Sequence, residues 1–293
     1  MQEHVPADSE NREPIGAAFR ERYFGGLNRG TELLTRCTVN VYLPPQTLME
    51  DYATTIANLG SLFASTYFDG LAEYGVERPL LGTVFYTNPA CPPLPSLLSP
   101  ADVGTAIARV SADGLGLPPP GRSVLHLFVL TPDILLDPSF PEFQMRANDP
   151  FGGGGGPPPG APFTGRALHN NIVLSLPPGP GLPGGPPAPV AYALVLRNPD
   201  TQGNLPDAGA IIQNAAHEIV EGITNPFQHG LWVVNGYNND NDELCDWCAF
   251  VQTGDAIYEL DGLPLPRYWA HGACGPPFPL STNVQLPPPR DLP

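Results

Sequence analysis

Basic residues are scarce in this chain: 13 Lys and Arg stand against 29 Asp and Glu, for a formal charge of -16. Nucleic acid and anionic membrane surfaces both attract basic patches, so neither is an expected partner. Charge of either sign is sparse, at 14% of 293 residues. The chain has no apolar run near the roughly eighteen residues that cross a bilayer. The opening Met1-Gln2-Glu3-His4 has no basic segment followed by an apolar stretch, so no signal peptide is expected in it. Cysteine is limited to Cys37, Cys91, Cys245, Cys248 and Cys274. An odd number leaves at least one thiol outside any intramolecular disulfide, and the count does not assign a redox compartment. There is no internal repeat.

Proline and glycine, by contrast, are abundant, at 40 and 32 residues. They concentrate in two tracts, about 150–162 and 177–189, which lack the large side chains a packed core needs. The pieces flanking these tracts are too short to fold alone, so both tracts are expected to be insertions between paired strands of one domain. Hydrophobic residues, at 42%, are enough for a substantial core. Residues 1–30 are polar and mixed and are expected to form a loosely held arm, with a single domain over 31–293.

Alternation over Thr38–Leu43 predicts a strand, stopped by Pro44 and Pro45. Leu48, Tyr52, Ile56, Leu59 and Phe63 share a helical face, which predicts helix over about 46–74, divided at Gly60 and capped by Gly75. Strands are expected at Leu80–Tyr86, Ser123–Leu130, Asn171–Leu176 and Val190–Leu196. Ser99 and Pro100 open another helix, ending near Gly114. His126 falls inside an apolar run and is expected to be a hydrogen-bonded core histidine. Short strands at Phe250-Val251, Ala256–Leu260 and Arg267–Ala270 complete the reading, with Thr253-Gly254-Asp255 as a turn. The fold class expected is α+β: one domain with a mixed sheet and helices packed on it.

The chemistry concentrates on a helix expected over Asp207–Thr224, N-capped by Asp207 and ended by Pro226. Ile212, Ala216, Ile219 and Ile223 make its apolar stripe. His217 and Glu221, four residues apart, stand one above the other on a different face, with Glu218 beside them. His-Glu-x-x-Glu resembles His-Glu-x-x-His, whose outer residues hold zinc while the glutamate activates water. A gluzincin draws its third ligand from a segment roughly twenty residues on. Here Asp240, Asp242, Glu243 and Asp246 occupy that window; Glu243 is the first candidate and Asp240 the second. A solvated helix face and a hydrated acidic loop would carry the same residues without metal. An EF-hand is excluded, since Glu243 and Ala249 stand where glycine and glutamate are required. Cys245-x-x-Cys248 with His271-x-x-Cys274 is a competing zinc pattern.

Ala216-His217-Glu218-Ile219-Val220-Glu221-Gly222-Ile223-Thr224-Asn225-Pro226 resembles a segment of the plant phosphate-induced, Exordium-like proteins and their bacterial relatives. Trp232, then Asp240-Asn241-Asp242-Glu243-Leu244-Cys245, then Cys274-Gly275 take the places of that family's later landmarks. Tyr67–Gly75 is similar to its aromatic segment ending in Tyr-Gly, and Leu168-His169-Asn170 falls near a family histidine. The resemblance spans about residues 38–275 and is specific in the last third; the Pro/Gly tracts and Cys248 depart from it. It implies a secreted, zincin-like protein and a disulfide between Cys245 and Cys274, in preference to the zinc pattern.

Two functions are therefore expected. In the first, the chain is a secreted zinc metallohydrolase acting on peptides, with His217, Glu221 and Glu243 or Asp240 on zinc and Glu218 as general base. His169 is expected at the surface, or else as an oxyanion stabiliser or distant ligand. Two carboxylates and one histidine leave a zinc site formally neutral, which weakens the metal as a Lewis acid. That favours the second reading, a non-catalytic binding or structural protein with a structural metal. Self-association through the Pro/Gly tracts is a third, weaker reading.

Overall fold

The computed structural model describes residues 33–85, 94–112, 122–140, 167–174, 187–197, 199, 204–226, 244–245, 248, 257–270 and 273–275. In chain order the strands are β1 Cys37–Tyr42, β2 Leu80–Phe85, β3 Leu97–Leu98, β4 Ser123–Val129, β5 Leu135–Leu136, β6 Ala167–Leu174 and β7 Ala188–Val195. They continue as β8 Ile257–Leu260, β9 Leu263–Pro266, β10 Tyr268–Ala270 and β11 Ala273–Gly275. The helices are α1 Tyr52–Ala64, α2 Pro100–Ala112 and α3 Ala208–Thr224, with 3-10 turns at Gln46–Leu48 and Tyr67–Tyr74.

A five-stranded mixed sheet in the order β2-β1-β4-β7-β6 organises the chain, in keeping with the α+β class expected. The β2, β1, β4 and β7 strands run parallel, and β6 pairs antiparallel with β7 at the edge. Side chains alternate across a pleated strand, and the two faces bury different helices. Val39 and Val41, Leu125 and Leu127, and Ala191 and Ala193 face the core that also holds α1 and α3 residues. Tyr42, Phe128, Tyr192 and Leu194 face the core built with α2. Covering both faces is what parallel strands require.

Local chemistry explains most boundaries. Ser99 Oγ accepts from Asp102 N at 3.3 Å while Asp102 Oδ2 accepts from Ser99 N at 2.9 Å, a reciprocal cap at the start of α2. Asp207 Oδ1 accepts from Ala210 N at 2.8 Å, and α3 runs to Thr224 as its N-cap and Pro226 predict. Gly75 ends the Tyr67–Tyr74 turn at φ 75°, the left-handed position expected of it. Gly60 does not divide the first helical stretch: α1 passes through it, and the interruption comes at Ser65-Thr66. One glycine costs a helix interior only about 1 kcal/mol, less than the burial of Leu59, Leu62 and Phe63 contributes.

Other expectations shift. The sixth strand starts at Ala167, four residues earlier than its pattern suggested, and so includes His169 and Asn170. The second Pro/Gly tract joins the antiparallel pair β6 and β7, as an insertion between paired strands should. The first tract instead lies between β5 and β6, which pair with β3 and β7 respectively. That tract, the arm at 1–30, Phe250-Val251 and Thr253-Gly254-Asp255 lie outside the described residues.

β9 was not anticipated, because its Leu-Pro-Leu-Pro sequence argues against a strand. Asp261 at φ 54° and Gly262 at φ 78° form a two-residue hairpin turn joining it to β8. In that register Pro264 and Pro266 stand at positions that need no N–H for the ladder, while Leu263 and Leu265 are buried. β9 lies against α3. Among the described residues no helix is long and apolar enough to cross a membrane.

Candidate metal centre

The strand alternation that sorts the two cores also sorts the histidines. On β4, His126 has the parity of Phe128 and points toward α2, whereas Leu125 and Leu127 point toward α3. Tyr42 Oη lies 2.7 Å from His126 Nδ1, and burial lowers the imidazole pKa to about 3. It is the hydrogen-bonded core histidine expected. On β6, His169 pairs with Ala193, a residue of the α3 face, and so projects beneath α3.

The α3 helix comes close enough to meet it because Gly222 has no side chain. A Cβ there would stand 3.0 Å from Leu125 Cδ1 and 3.7 Å from His169 Cβ. The Ile212, Ala216, Ile219 and Ile223 stripe is wholly buried, as expected. One face round, His217 Nε2 lies 3.0 Å from Glu221 Oε2, the spacing that one helical turn allows. His217 keeps 25% of its side-chain surface exposed, whereas Glu221 keeps 2%. Glu218 turns inward, with Oε2 3.2 Å from His169 Nδ1; the same nitrogen is 3.8 Å from Glu221 Oε2.

His169 is therefore buried, not at the surface. His169 and its polar neighbour Asn170 hid the start of this strand, because a core strand is ordinarily recognised by apolar residues. Cys245 completes the surroundings. Its Sγ donates to the His217 carbonyl at 3.8 Å, and it lies outside any disulfide. The disulfide in this region belongs to Cys248. Both cysteine expectations are thus corrected: Cys245 does not pair with Cys274, and a zinc site of three cysteines and His271 would need the thiolate that Cys248 has given up to a bond. Cys37 is a buried thiol, pushed up to about 12 chiefly by desolvation.

Ligand-type atoms of His217, Glu221 and Cys245 all lie within 4.8 Å of one another, and so do those of His169, Glu218 and Glu221. Donors about 3.4 Å apart would surround one tetrahedral zinc at ordinary bond lengths, so small adjustments of these side chains accommodate a cation. Glu243 and Asp240, the third ligands expected, lie outside the described residues. Among the described residues of that segment, Cys245, two positions after Glu243, stands beside His217 and Glu221. Nothing in its own sequence surroundings distinguished a ligand from a disulfide cysteine.

A cation at this cluster would offset its buried carboxylates. Glu218 and Glu221 are 4% and 2% exposed, with carboxylate oxygens within 4.8 Å. Two charges at that distance repel by on the order of 3 kcal/mol at the effective dielectric of protein interiors. Desolvation adds several more. The ion-pair partners described for both are imidazoles, and the chain contains no lysine.

Tyr67 is buried beside the centre. Burial first, then Cys245, Tyr268 and Glu221 nearby, push its phenol well above the ordinary range, so it remains a donor. Tyr67 Oη donates to Pro266 O at 2.9 Å and Tyr268 Oη to Tyr67 O at 2.6 Å, which ties the Tyr67–Tyr74 turn to the C-terminal ribbon. No family model, curated protein or solved structure matches this chain.

Proposed function

We propose that this chain is a zincin-like, zinc-dependent hydrolase acting on peptides, with the cation held by His217 and Glu221. The observation that carries this reading is the convergence of His217 and Glu221 from α3 with Cys245 from a later segment, their ligand atoms all within 4.8 Å of one another. The mixed sheet with the His-Glu helix packed on it supports the zincin-like assignment, as does the resemblance of the 216–226 segment to Exordium-like proteins. Cys245, Glu243 or Asp240 supplies the third ligand; all three belong to one short segment.

A bound divalent cation would polarise a substrate carbonyl and make water a better nucleophile at neutral pH. The protein's own side chains supply the rest. Glu218, held by His169, accepts the proton of the attacking water. His217 marks the solvent side of the centre, where substrate would enter, because its side chain alone in that triplet is a quarter exposed. Burial of Glu221 strengthens its hold on a cation by excluding water. The disulfide at Cys248 suits an oxidising compartment, which supports secretion.

The test is elemental analysis paired with hydrolysis of a peptide library. His217→Ala should lose the cation held at that position and all hydrolysis. Glu218→Gln should keep that cation and hydrolyse nothing. Undiminished hydrolysis by Glu218→Gln would remove the mechanism.

The second reading is a structural metal that braces a binding protein, and Cys245 favours it. A histidine, a carboxylate and a thiolate neutralise a divalent cation, whereas two histidines and one carboxylate leave one positive charge for substrate. Under this reading chelation lowers the melting temperature while no peptide is cut by any form of the protein.

A further inference from the structure

We infer that the buried side of this centre binds a second divalent cation, through His169, Glu218 and Glu221, with Glu221 bridging the two ions. The inference rests on the metal reading above and adds a second ion to it. Three observations carry it.

The first is geometric. His169 Nδ1 and the Glu218 and Glu221 carboxylates form a triplet within 4.8 Å, independent of His217 and Cys245 except for the shared Glu221. Glu221 Oε2 lies between the two histidines, 3.0 Å from His217 Nε2 and 3.8 Å from His169 Nδ1, and two-metal sites hold their ions about 3.5–4 Å apart.

The second is burial. All three side chains are nine-tenths or more buried, and they reach the point from two separate elements, α3 and the edge strand β6. The close approach at Gly222 makes this possible, so the juxtaposition is built into the packing of helix on sheet. A solvated acidic face would show neither feature.

The third is charge. With Cys245 bound as thiolate, the centre holds three negative charges: Glu218, Glu221 and Cys245. One divalent cation offsets two of them. Two cations leave a single positive charge, the balance found where two neutral histidines and one glutamate hold zinc, and the one that favours an approaching carbonyl oxygen. The inner triplet offers one nitrogen and two oxygens and no sulfur, a donor set suited to zinc, iron or manganese. Glu218 can ligate through Oε2, the oxygen beside His169, and keep Oε1 for the water proton.

The full chain, stripped with chelator and titrated with Zn²⁺ in a calorimeter, tests this. Wild type should take up two equivalents, and Glu218→Gln and His169→Ala one each. Should His169→Ala not fold, Glu218→Gln changes a single atom and carries the test. Cobalt(II) adds a spectroscopic measure: ions bridged by Glu221 should give a spin signal per ion weaker than that of the one-cobalt Glu218→Gln variant. A single equivalent in wild type, unchanged in both variants, overturns the second ion and leaves the first standing. No bound equivalent in wild type overturns both. Two equivalents with additive cobalt signals overturn the bridge.

Discussion

Two histidines are buried on opposite faces of one sheet, and their neighbours make them different objects. His126 lies among aromatic rings on the α2 side, 4.1 Å stacking of Tyr42 on Phe128 beside it, with a phenol as its hydrogen-bond partner. His169 lies on the α3 side with two carboxylates in reach. Burial alone therefore says nothing about chemistry. A buried imidazole beside a hydroxyl serves packing, whereas one beside two buried carboxylates offers a donor set that a cation could share.

The largest expected effect breaks the α3 side. Glu221→Ala removes the carboxylate common to both triplets, and Zn²⁺ affinity measured by calorimetry should fall more than about 100-fold, since even the outer partners of metal ligands cost 10–100-fold. A loss under tenfold would show that Glu221 is not a ligand.

The α2 side should respond to acid instead. His126 is held at about 3 in the folded chain against 6.5 in the unfolded one. Above 6.5 neither state is protonated and the full stability is present. As pH falls from 6.5 toward 3 the unfolded chain takes up a proton that the folded chain refuses, and stability drops by about 1.4 kcal/mol per pH unit. Denaturant titrations at pH 7 and pH 5 should show a smaller drop in His126→Leu than in wild type, with Zn²⁺ affinity at pH 7 the same in both. Equal drops would remove the distinction drawn for His126.

Two helical glycines sharpen the contrast at smaller scale. Gly222→Val pushes carbon into the Leu125 methyls, 3.0 and 3.2 Å from the added Cβ, and should cost roughly 1–3 kcal/mol in chemical denaturation. It should weaken the hold on metal as well, because α3 and His169 are forced apart. Gly60→Ala meets nothing within 4 Å and should stabilise α1 by about 0.5–1 kcal/mol, leaving metal binding alone. A destabilised Gly60→Ala would mean that the exposed face of α1 is occupied.

Legibility followed the range of the interaction. The α3 helix was readable to the residue because its cap, stripe and stop are all local: Asp207, the Ile212-to-Ile223 row and Pro226. The cores of β1, β2, β4 and β7 were readable for the same reason. β6 was only half readable, since His169 and Asn170 interrupt its apolar pattern, and β9 was lost to its two prolines. The pairing of cysteines was misread because which thiol meets which depends on where distant segments lie, not on spacing.

By itself, then, the sequence determined that His217 and Glu221 stand one turn apart beside Glu218, because a helix enforces that spacing wherever it forms. It did not determine what stands opposite them. The arrival of His169 from an edge strand was decided by strand parity and by the closeness that Gly222 allows, and that of Cys245 by the packing of a later segment against α3. Those are contacts between residues 28 to 52 positions apart, and no local rule of backbone or periodicity reaches that far.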